Sequence, residues 1–331
     1  MKTSTLTKVA LTNIAAGLSL AGLSFTAAAD AVTLNVVSFT PKPIAVSHGF
    51  REFVAAVNEE FEGRLVLNWR GGPEVMPPFR LADAVRNNSI DMALLSPSYY
   101  SGLVPSSTSS NLSFKNYEEL LESGYYDRMT EIHAERGLNY LGEIPASNVQ
   151  FFLFFKDRVD GMDDLKRKRI RVFPTGLPFI EALGANGLVL PIGEIYTAME
   201  RGAIDGFMQG NIGWAEQFSD VVNYYITPPF YRAGFSVLVS DRAMGRLPDE
   251  LREELTEYLR YTLAPEIDRS WDEVIANGYA EMEAAGFEEI ALNGEEAEQY
   301  LQTAIDAAWE YMAGQLDNDE LTAELRAMLV D

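Results

Sequence analysis

The segments AVRNNSIDM at residues 84–92 and AMERGAIDG at residues 198–206 share one plan. In each, an amphipathic helix ends at a tight turn, and an Ile-Asp pair begins a short strand. Asn88 and Gly202 occupy the turns, where helix exits often need a left-handed backbone that these residue types tolerate. The pattern predicts two similar helix–turn–strand units, which either arose by duplication or are alike only because such units resemble one another.

An irregular stretch that contains aromatic residues follows each of these strands. Residues 96–100 read SPSYY, and residues 209–214 read QGNIGW. Ligands of open α/β sheets bind beyond the carboxyl ends of the strands. We therefore expect both stretches to contribute to a cleft between two halves of the molecule.

The rest of the chain alternates between strand and helix patterns. Residues 32–37 read as a strand, and apolar residues from Phe50 to Phe61 recur at the three- and four-residue spacing of a helix. Residues 151–155 are all apolar, which is typical of a strand buried on both faces. From Pro248 onward the pattern is almost entirely helical. The alternation predicts an α/β fold with mostly parallel sheets, and a length of 331 residues favours two lobes.

The composition excludes several classes of function. The chain has 49 acidic and 26 basic side chains, for a formal net charge of −23. Such a negative surface repels phosphate backbones, so nucleic acid is not an expected partner. Cysteine is absent, which excludes disulfides, thiolate metal sites and cysteine nucleophiles.

The first 29 residues have the features of a signal peptide. Lys2 and Lys8 form a positive end, residues 9–25 are mostly apolar, and residues 27–29 are AAA, which provides an A-x-A cleavage site. The alternative is a membrane anchor, but polar residues interrupt the apolar segment, which is poor for stable spanning. We expect cleavage near Ala29 and export of a free protein to the periplasm.

Catalytic machinery is sparse. The only histidines are His48 and His133; we expect His133 at the surface of a helix, and His48 in a structural role, with a ligand contact as the alternative. No nucleophile-elbow, zinc-protease, P-loop or dinucleotide-binding motif occurs. The sequence therefore predicts no catalytic residue, no metal and no cofactor. An exported hydrolase or lyase with an Asp or Glu base stays open as the less favoured alternative.

Arg171 stands out in the basic segment KRKRIRV at residues 166–172. Strand alternation places Ile170 and Val172 on one side and Arg171 on the other. An unpaired buried charge is costly, so this arginine has to meet water or a carboxylate, which its planar fork binds with two parallel hydrogen bonds. The residues alone leave open whether that carboxylate belongs to the protein or to a ligand.

Several motifs together resemble the solute-binding proteins of TRAP transporters, the DctP family. They are KRIRV at residues 168–172, ALGA at 182–185, EIYTAM at 194–199 and GAIDG at 202–206, with GGPEV at 71–75 in the N-terminal half. The resemblance implies a monomeric periplasmic receptor that captures a small organic acid between two lobes. It would deliver this carboxylate to the membrane subunits of a TRAP permease.

The resemblance also implies the architecture. It is a two-lobed periplasmic binding protein-like fold, in which each lobe is a mixed, mostly parallel sheet flanked by helices. Long C-terminal helices cross the lobes. Lobe I would comprise residues 30–149 and about 235–275, and lobe II residues 150–234 and about 276–331.

In the family, the arginine of the K-I-R-V motif holds the ligand carboxylate, a role that the resemblance gives to Arg171. Gln209 takes the position of a family asparagine after the D-G pair, and Asn211 lies nearby. Asn148 and Gln150 lie where some relatives carry a second arginine, and they could hydrogen-bond the ligand at the junction of the lobes. Because these two residues are neutral, the resemblance favours a ligand with one carboxylate over a diacid.

Four aromatic residues are candidate walls of the cleft, because aromatic faces supply rigid contact area. They are Phe39, Tyr99, Tyr100 and Trp214, and a position in the core is the alternative for each. Glu74 follows Gly-Gly-Pro on a loop that could reach the cleft. There it would suit a hydroxyl group, or the positive end of a zwitterion or amine such as a compatible solute, which is the alternative ligand class.

Overall fold

The computed structural model describes residues 31–113 and 115–330, which form one sheet surrounded by helices. The predicted signal peptide, residues 1–29, lies outside the described residues. The strands are β1 (Val32–Ser38), β2 (Leu65–Gly71), β3 (Met92–Leu95), β4 (Asn139–Phe155), β5 (Arg169–Val172), β6 (Asn186–Val189), β7 (Gly206–Gly210), β8 (Tyr224–Val239) and β9 (Glu288–Ala291). The helices are α1 (His48–Glu60), α2 (Leu81–Arg86), α3 (Tyr117–Glu122), α4 (Tyr125–Ala134), α5 (Leu177–Ala182), α6 (Ile195–Glu200), α7 (Ala215–Phe218), α8 (Asp241–Met244), α9 (Asp249–Glu257), α10 (Ala264–Ala284), α11 (Glu295–Leu316) and α12 (Asp319–Val330).

Two long antiparallel strands, β4 and β8, form the centre of the sheet, whose order is β2-β1-β3-β8-β4-β7-β5-β6. On one side, β1 pairs in parallel with β2 and β3. On the other side, β5 pairs in parallel with β6 and β7. The sheet therefore has two halves with parallel outer strands, and β4 and β8 run through both.

The two helix–turn–strand units are alike in detail. Asn88 and Gly202 both have a φ of 63°, the left-handed conformation predicted for the turns. Oδ2 of Asp91 accepts a hydrogen bond from the backbone N–H of Asn35 at 2.9 Å. Oδ2 of Asp205 accepts one from the backbone N–H of Arg169 at 2.8 Å. Each aspartate thus ties its own strand to the parallel neighbour, β3 to β1 and β7 to β5.

The C-terminal part is mostly helical, as predicted, with one additional strand. β9 lies between the long helices α10 and α11 and pairs in parallel with the start of β8. A π-helical turn, Tyr258–Leu263, precedes α10, and Pro265 lies in the first turn of that helix. The backbone stays helical from α9 through this turn into α10, and the wider π-helical turn lies directly before the proline, whose nitrogen cannot donate a hydrogen bond. Among residues 31–113 and 115–330, no helix combines the length and apolar character needed to cross a bilayer.

The prediction that His133 lies at the surface is wrong. The side chain is fully buried and stacks on Tyr140, with ring centroids 4.6 Å apart. Its Nδ1 lies 2.6 Å from the carbonyl oxygen of Met129, and its Nε2 lies 3.0 Å from the hydroxyl of Tyr100. The charged neighbours in sequence point away, because α4 turns only one face to the sheet. Burial lowers the pKa of His133 to about 4.

His48 has a structural environment at the start of α1. Its Nε2 lies 2.8 Å from the hydroxyl of Ser270. Its ring and that of Trp271 pack edge to face, with centroids 5.0 Å apart. Both partners belong to α10, so this histidine joins the first and tenth helices. Burial lowers its pKa.

Candidate ligand-binding site

A cavity of about 60 Å³ lies where the two halves of the sheet meet. The carboxyl ends of β3, β5 and β7 and the irregular middle of β4 and β8 surround it. Most of its lining is apolar, including Phe39, Val149, Phe151, Phe173, Ile212 and Phe235. Its polar lining comes from Ser96, Ser98, Tyr99, Asn111, Arg171 and Gln209, together with Tyr231.

Arg171 provides the only charged side chain in the lining of this cavity, as far as the chain is described. The residue is 1% exposed, and its two strand neighbours, Ile170 and Val172, are fully buried on the opposite face of β5. Nε donates to the carbonyl oxygen of Leu190 at 2.8 Å, and Nη1 donates to that of Met208 at 3.0 Å. These two bonds fix the plane of the guanidinium. Burial lowers the pKa of Arg171, and the hydroxyl of Tyr99 partly opposes that shift.

Arg171 differs from the other buried arginines in its partners. Nη2 of Arg232 lies 2.7 Å from Oε1 of Glu143, and Nη1 of Arg260 lies 2.7 Å from Oδ1 of Asp127. Within residues 31–113 and 115–330, no carboxylate lies within 4.0 Å of Arg171. The sequence left open whether Arg171 meets a carboxylate of the protein or of a ligand. Among the described residues, no carboxylate of the protein fills that role. A buried guanidinium without a counter-charge is costly, and a bound anion would offset that cost.

Three further residues of the predicted site line the same cavity. Gln209 lies on β7 and is 8% exposed, and its side-chain amide makes no hydrogen bond to another described residue. Phe39 meets the edge of Tyr99, with ring centroids 5.2 Å apart. Burial raises the pKa of Tyr99, so its hydroxyl stays protonated beside Arg171. The structure thus brings together Arg171, Gln209, Tyr99 and Phe39.

Asn148, Gln150 and Trp214 lie in neighbouring cavities. Asn148 and Gln150 line a separate cavity of about 580 Å³, and Nδ2 of Asn148 donates to Oδ1 of Asp272 at 2.9 Å. Their chain neighbours Val149 and Phe151 line the cavity of Arg171, so the alternation of a strand points Asn148 and Gln150 to the other face of β4. Trp214 lines an outer groove of about 690 Å³, and its Nε1 donates to the carbonyl oxygen of Gly210 at 2.6 Å.

Tyr100, Asn211 and Glu74 do not line the cavity of Arg171. The hydroxyl of Tyr100 lies 2.7 Å from that of Ser236 on β8. Asn211 is buried. Its backbone carbonyl oxygen packs so closely against Gly278 of α10 that position 278 has no room for a side chain. Oε1 of Glu74 accepts a hydrogen bond from the backbone N–H of Gly72 at 2.8 Å. This bond to its own loop lowers the pKa of Glu74.

Sequence reasoning missed several lining residues. Ser96 and Ser98 belong to the stretch that was expected at the cleft, and Phe173 follows the strand of Arg171 directly, so their positions carried a usable signal. Tyr231 had none. It lines the cavity from the middle of β8 with a φ of 50°, which a tyrosine adopts only where the tertiary structure imposes it.

A cavity at the strand ends of an α/β sheet, with one buried charge and an apolar wall, is typical of a receptor for a small solute. The chain belongs to the family described as bacterial extracellular solute-binding protein, family 7 (DctP), whose family model matches residues 39–315.

One curated relative is the monocarboxylate 2-oxoacid-binding periplasmic protein of Nostoc sp. The two proteins are 28% identical over 230 residues, or 64% of this chain. The chain spans 61% of the length of that relative.

Two solved structures illustrate the likeness of fold. One is a TRAP periplasmic solute-binding protein from Desulfovibrio salexigens with bound orotic acid, with a TM-score of 0.79, 15% identity, and coverage of 90% of this chain and 100% of that one. The other is DctP7 of Bordetella pertussis, an extracytoplasmic solute receptor binding pyroglutamic acid, with a TM-score of 0.76, 16% identity, and coverage of 90% and 99%. At these identities the likeness establishes the fold alone.

The comparisons confirm the resemblance to the DctP family and the predicted α/β binding-protein fold with long C-terminal helices. They also confirm that the chain is a binding protein and not an enzyme, since the family is one of solute-binding proteins. The boundaries of the two lobes stay a prediction.

Proposed function

We propose that the protein is the periplasmic receptor of a TRAP transporter and binds a small monocarboxylate, of the 2-oxo acid class, at Arg171. The observation that carries this proposal is the buried guanidinium of Arg171 in an apolar cavity, without an acidic partner among the described residues. The relative from Nostoc, named as a binder of monocarboxylate 2-oxo acids, supports the same ligand class.

The guanidinium is suited to receive a carboxylate. Two of its five N–H donors are used by the carbonyl oxygens of Leu190 and Met208. These bonds hold the group rigidly, so a ligand loses little free energy in ordering it. The remaining donors can bind both oxygens of a carboxylate, and the free amide of Gln209 can donate to or accept from a neighbouring oxygen.

The charge and size of the cavity limit the ligand. A second carboxylate would meet no other cation in the described lining, and an ammonium group would meet no acid, since Glu74 bonds its own loop. The cavity is small, about 60 Å³, which suits a short 2-oxo acid.

The partner and the location follow from the same proposal. The mature protein, cleaved after Ala29, would act in the periplasm as a monomer. It would present the acid to the membrane subunits of a TRAP permease when the cleft closes around the ligand.

Calorimetry on the mature protein tests the ligand class, with pyruvate as the probe. We expect binding at micromolar affinity or tighter, which corresponds to about −8 kcal/mol. Succinate tests the second carboxylate, and L-alanine, which matches pyruvate in size, tests the ammonium group. Both should bind much more weakly. Tight binding of either one, without binding of pyruvate, would overturn the ligand class.

Substitution of Arg171 tests the anchor. Arg171→Ala should abolish binding, and Arg171→Lys should weaken it by about tenfold or more, because a lysine keeps the charge and loses the planar fork. Arg169→Gln is the matched control: it lies on the same strand, and its side chain is half-exposed and pairs with Asp205. Unchanged affinity in Arg171→Ala would exclude the anchor.

A further inference from the structure

Two loops from opposite halves of the sheet touch at Ala45 and Gly213. Ala45 lies in the loop between β1 and α1, and Gly213 lies between β7 and α7. Gly213 has a φ of 67°, and a Cβ built on it would lie 2.1 Å from Cβ of Ala45. The two backbones can approach this closely only because residue 213 has no side chain.

The contact lies between the cavity of Arg171 and the neighbouring groove that Trp214 lines. Val46 and Ile212, the chain neighbours of Ala45 and Gly213, line both. Ala45 and Gly213 themselves line the outer groove. A ligand in the cavity is therefore covered on this side by the two touching loops.

We propose that the contact between Ala45 and Gly213 closes the ligand cavity and sets how long a bound acid is retained. This inference rests on the proposed function, since it assumes that the ligand occupies the cavity of Arg171. The two residues act as positioning residues, because they hold the loops together and do not line the cavity. A ligand has to wait for the loops to part before it leaves, so loss of the contact raises the dissociation rate.

The geometry provides a disrupting variant and a variant that rescues it. Gly213→Ala adds a Cβ where Ala45 already stands, so the loops cannot meet. Ala45→Gly removes the obstructing atom. The next nearest atoms of residue 45 are then Cα at 3.4 Å and N at 3.6 Å, which are ordinary contacts. The double variant Ala45→Gly/Gly213→Ala therefore restores the approach.

Gly202→Ala is the matched control for backbone strain. Gly202 has a φ of 63°, nearly that of Gly213, and a Cβ there would meet no atom within 4 Å. The control thus has the same left-handed penalty without touching the contact. Any effect that Gly213→Ala shows beyond Gly202→Ala comes from the clash.

Loop separation can be measured without knowing the ligand. The natural sequence has no cysteine, so Ala55→Cys on α1 and Glu200→Cys at the end of α6 give a unique pair of spin-label sites at exposed positions. Pulsed electron paramagnetic resonance then gives the distance distribution with and without pyruvate. We expect a short-distance population that Gly213→Ala removes, that the double variant restores and that Gly202→Ala leaves intact.

The dissociation rate of pyruvate, followed by stopped-flow tryptophan fluorescence, is expected to rise about tenfold or more in Gly213→Ala. It should return to within about threefold of the wild type in the double variant. The inference is wrong if Gly213→Ala keeps the short-distance population, if the wild type shows none under either condition, or if Gly202→Ala has the same effect. If pyruvate does not bind but the distances respond as expected, the ligand class fails and the contact stands.

Discussion

Replacement of Arg171 by methionine should remove ligand binding and leave the free energy of unfolding of the unliganded protein nearly unchanged. The side chain is 1% exposed and has no acidic partner among the described residues, so its desolvation is not offset by an ion pair. Removal of the guanidinium relieves this desolvation penalty, which stabilises the protein by several kcal/mol. The same substitution loses two charged hydrogen bonds, which destabilises it by about 1.5–3 kcal/mol for each bond. We expect a net change of less than about 2 kcal/mol.

Arg232→Met is the matched comparison, because Arg232 is likewise buried, with 3% of the residue exposed, but has an acidic partner. Its Nη2 lies 2.7 Å from Oε1 of Glu143. Its removal leaves a buried carboxylate without a counter-charge, which costs about 3–5 kcal/mol. Urea unfolding of both variants without ligand, followed by tryptophan fluorescence at pH 8, measures the difference. Equal destabilisation by the two substitutions would refute the reasoning, since Arg171 would then be an ordinary structural arginine.

Two further outcomes follow from buried titratable groups. The pKa of His133 is about 4 in the folded protein and about 6.5 when unfolded, so the unfolded chain binds more protons between these values. The free energy of unfolding should therefore fall by about 3 kcal/mol as the pH drops from 6.5 to 4. In His133→Gln, urea unfolding at a series of pH values should lack this part of the pH dependence. The same pH dependence in the variant and the wild type would show that His133 is not its source. Tyr99→Phe removes the hydroxyl beside Arg171 and should weaken pyruvate binding by about 1 kcal/mol in calorimetry, while Tyr100→Phe, whose hydroxyl faces His133, should leave the affinity within about twofold.

Features that depend on a few neighbouring residues could be predicted from the sequence. The left-handed turns at Asn88 and Gly202 follow from the residue types that such turns accept. The placement of Arg171 opposite Ile170 and Val172 follows from the alternation of a strand. For the same reason β1, β3, β5, β7 and the end of β4 were predicted. The long strand β8 was not predicted, and β9, a short strand with exposed residues between two long helices, carries no clear pattern.

Features that depend on distant partners could not be predicted. His133 has charged neighbours in sequence, and only the packing of α4 against Tyr100 and Tyr140 buries it. The resemblance placed Asn148 and Gln150 at the site, but Val149 and Phe151 occupy the face of β4 toward Arg171, so Asn148 and Gln150 line another cavity. Which face of β4 meets Arg171 is set by its pairing with the distant strands β7 and β8. The sequence separation of such partners exceeds the range over which periodicity or spacing carries information.

Residue type and local spacing were enough to indicate the family, the two helix–turn–strand units and the one arginine that breaks the apolar pattern of a buried strand. They could not show that Arg171 has no acidic partner among the described residues, that the cavity around it is small and apolar, or that Ala45 meets Gly213 beside it. Counter-charges, cavity volume and close backbone approach are properties of distant segments, which the long strands β4 and β8 bring together in the folded protein.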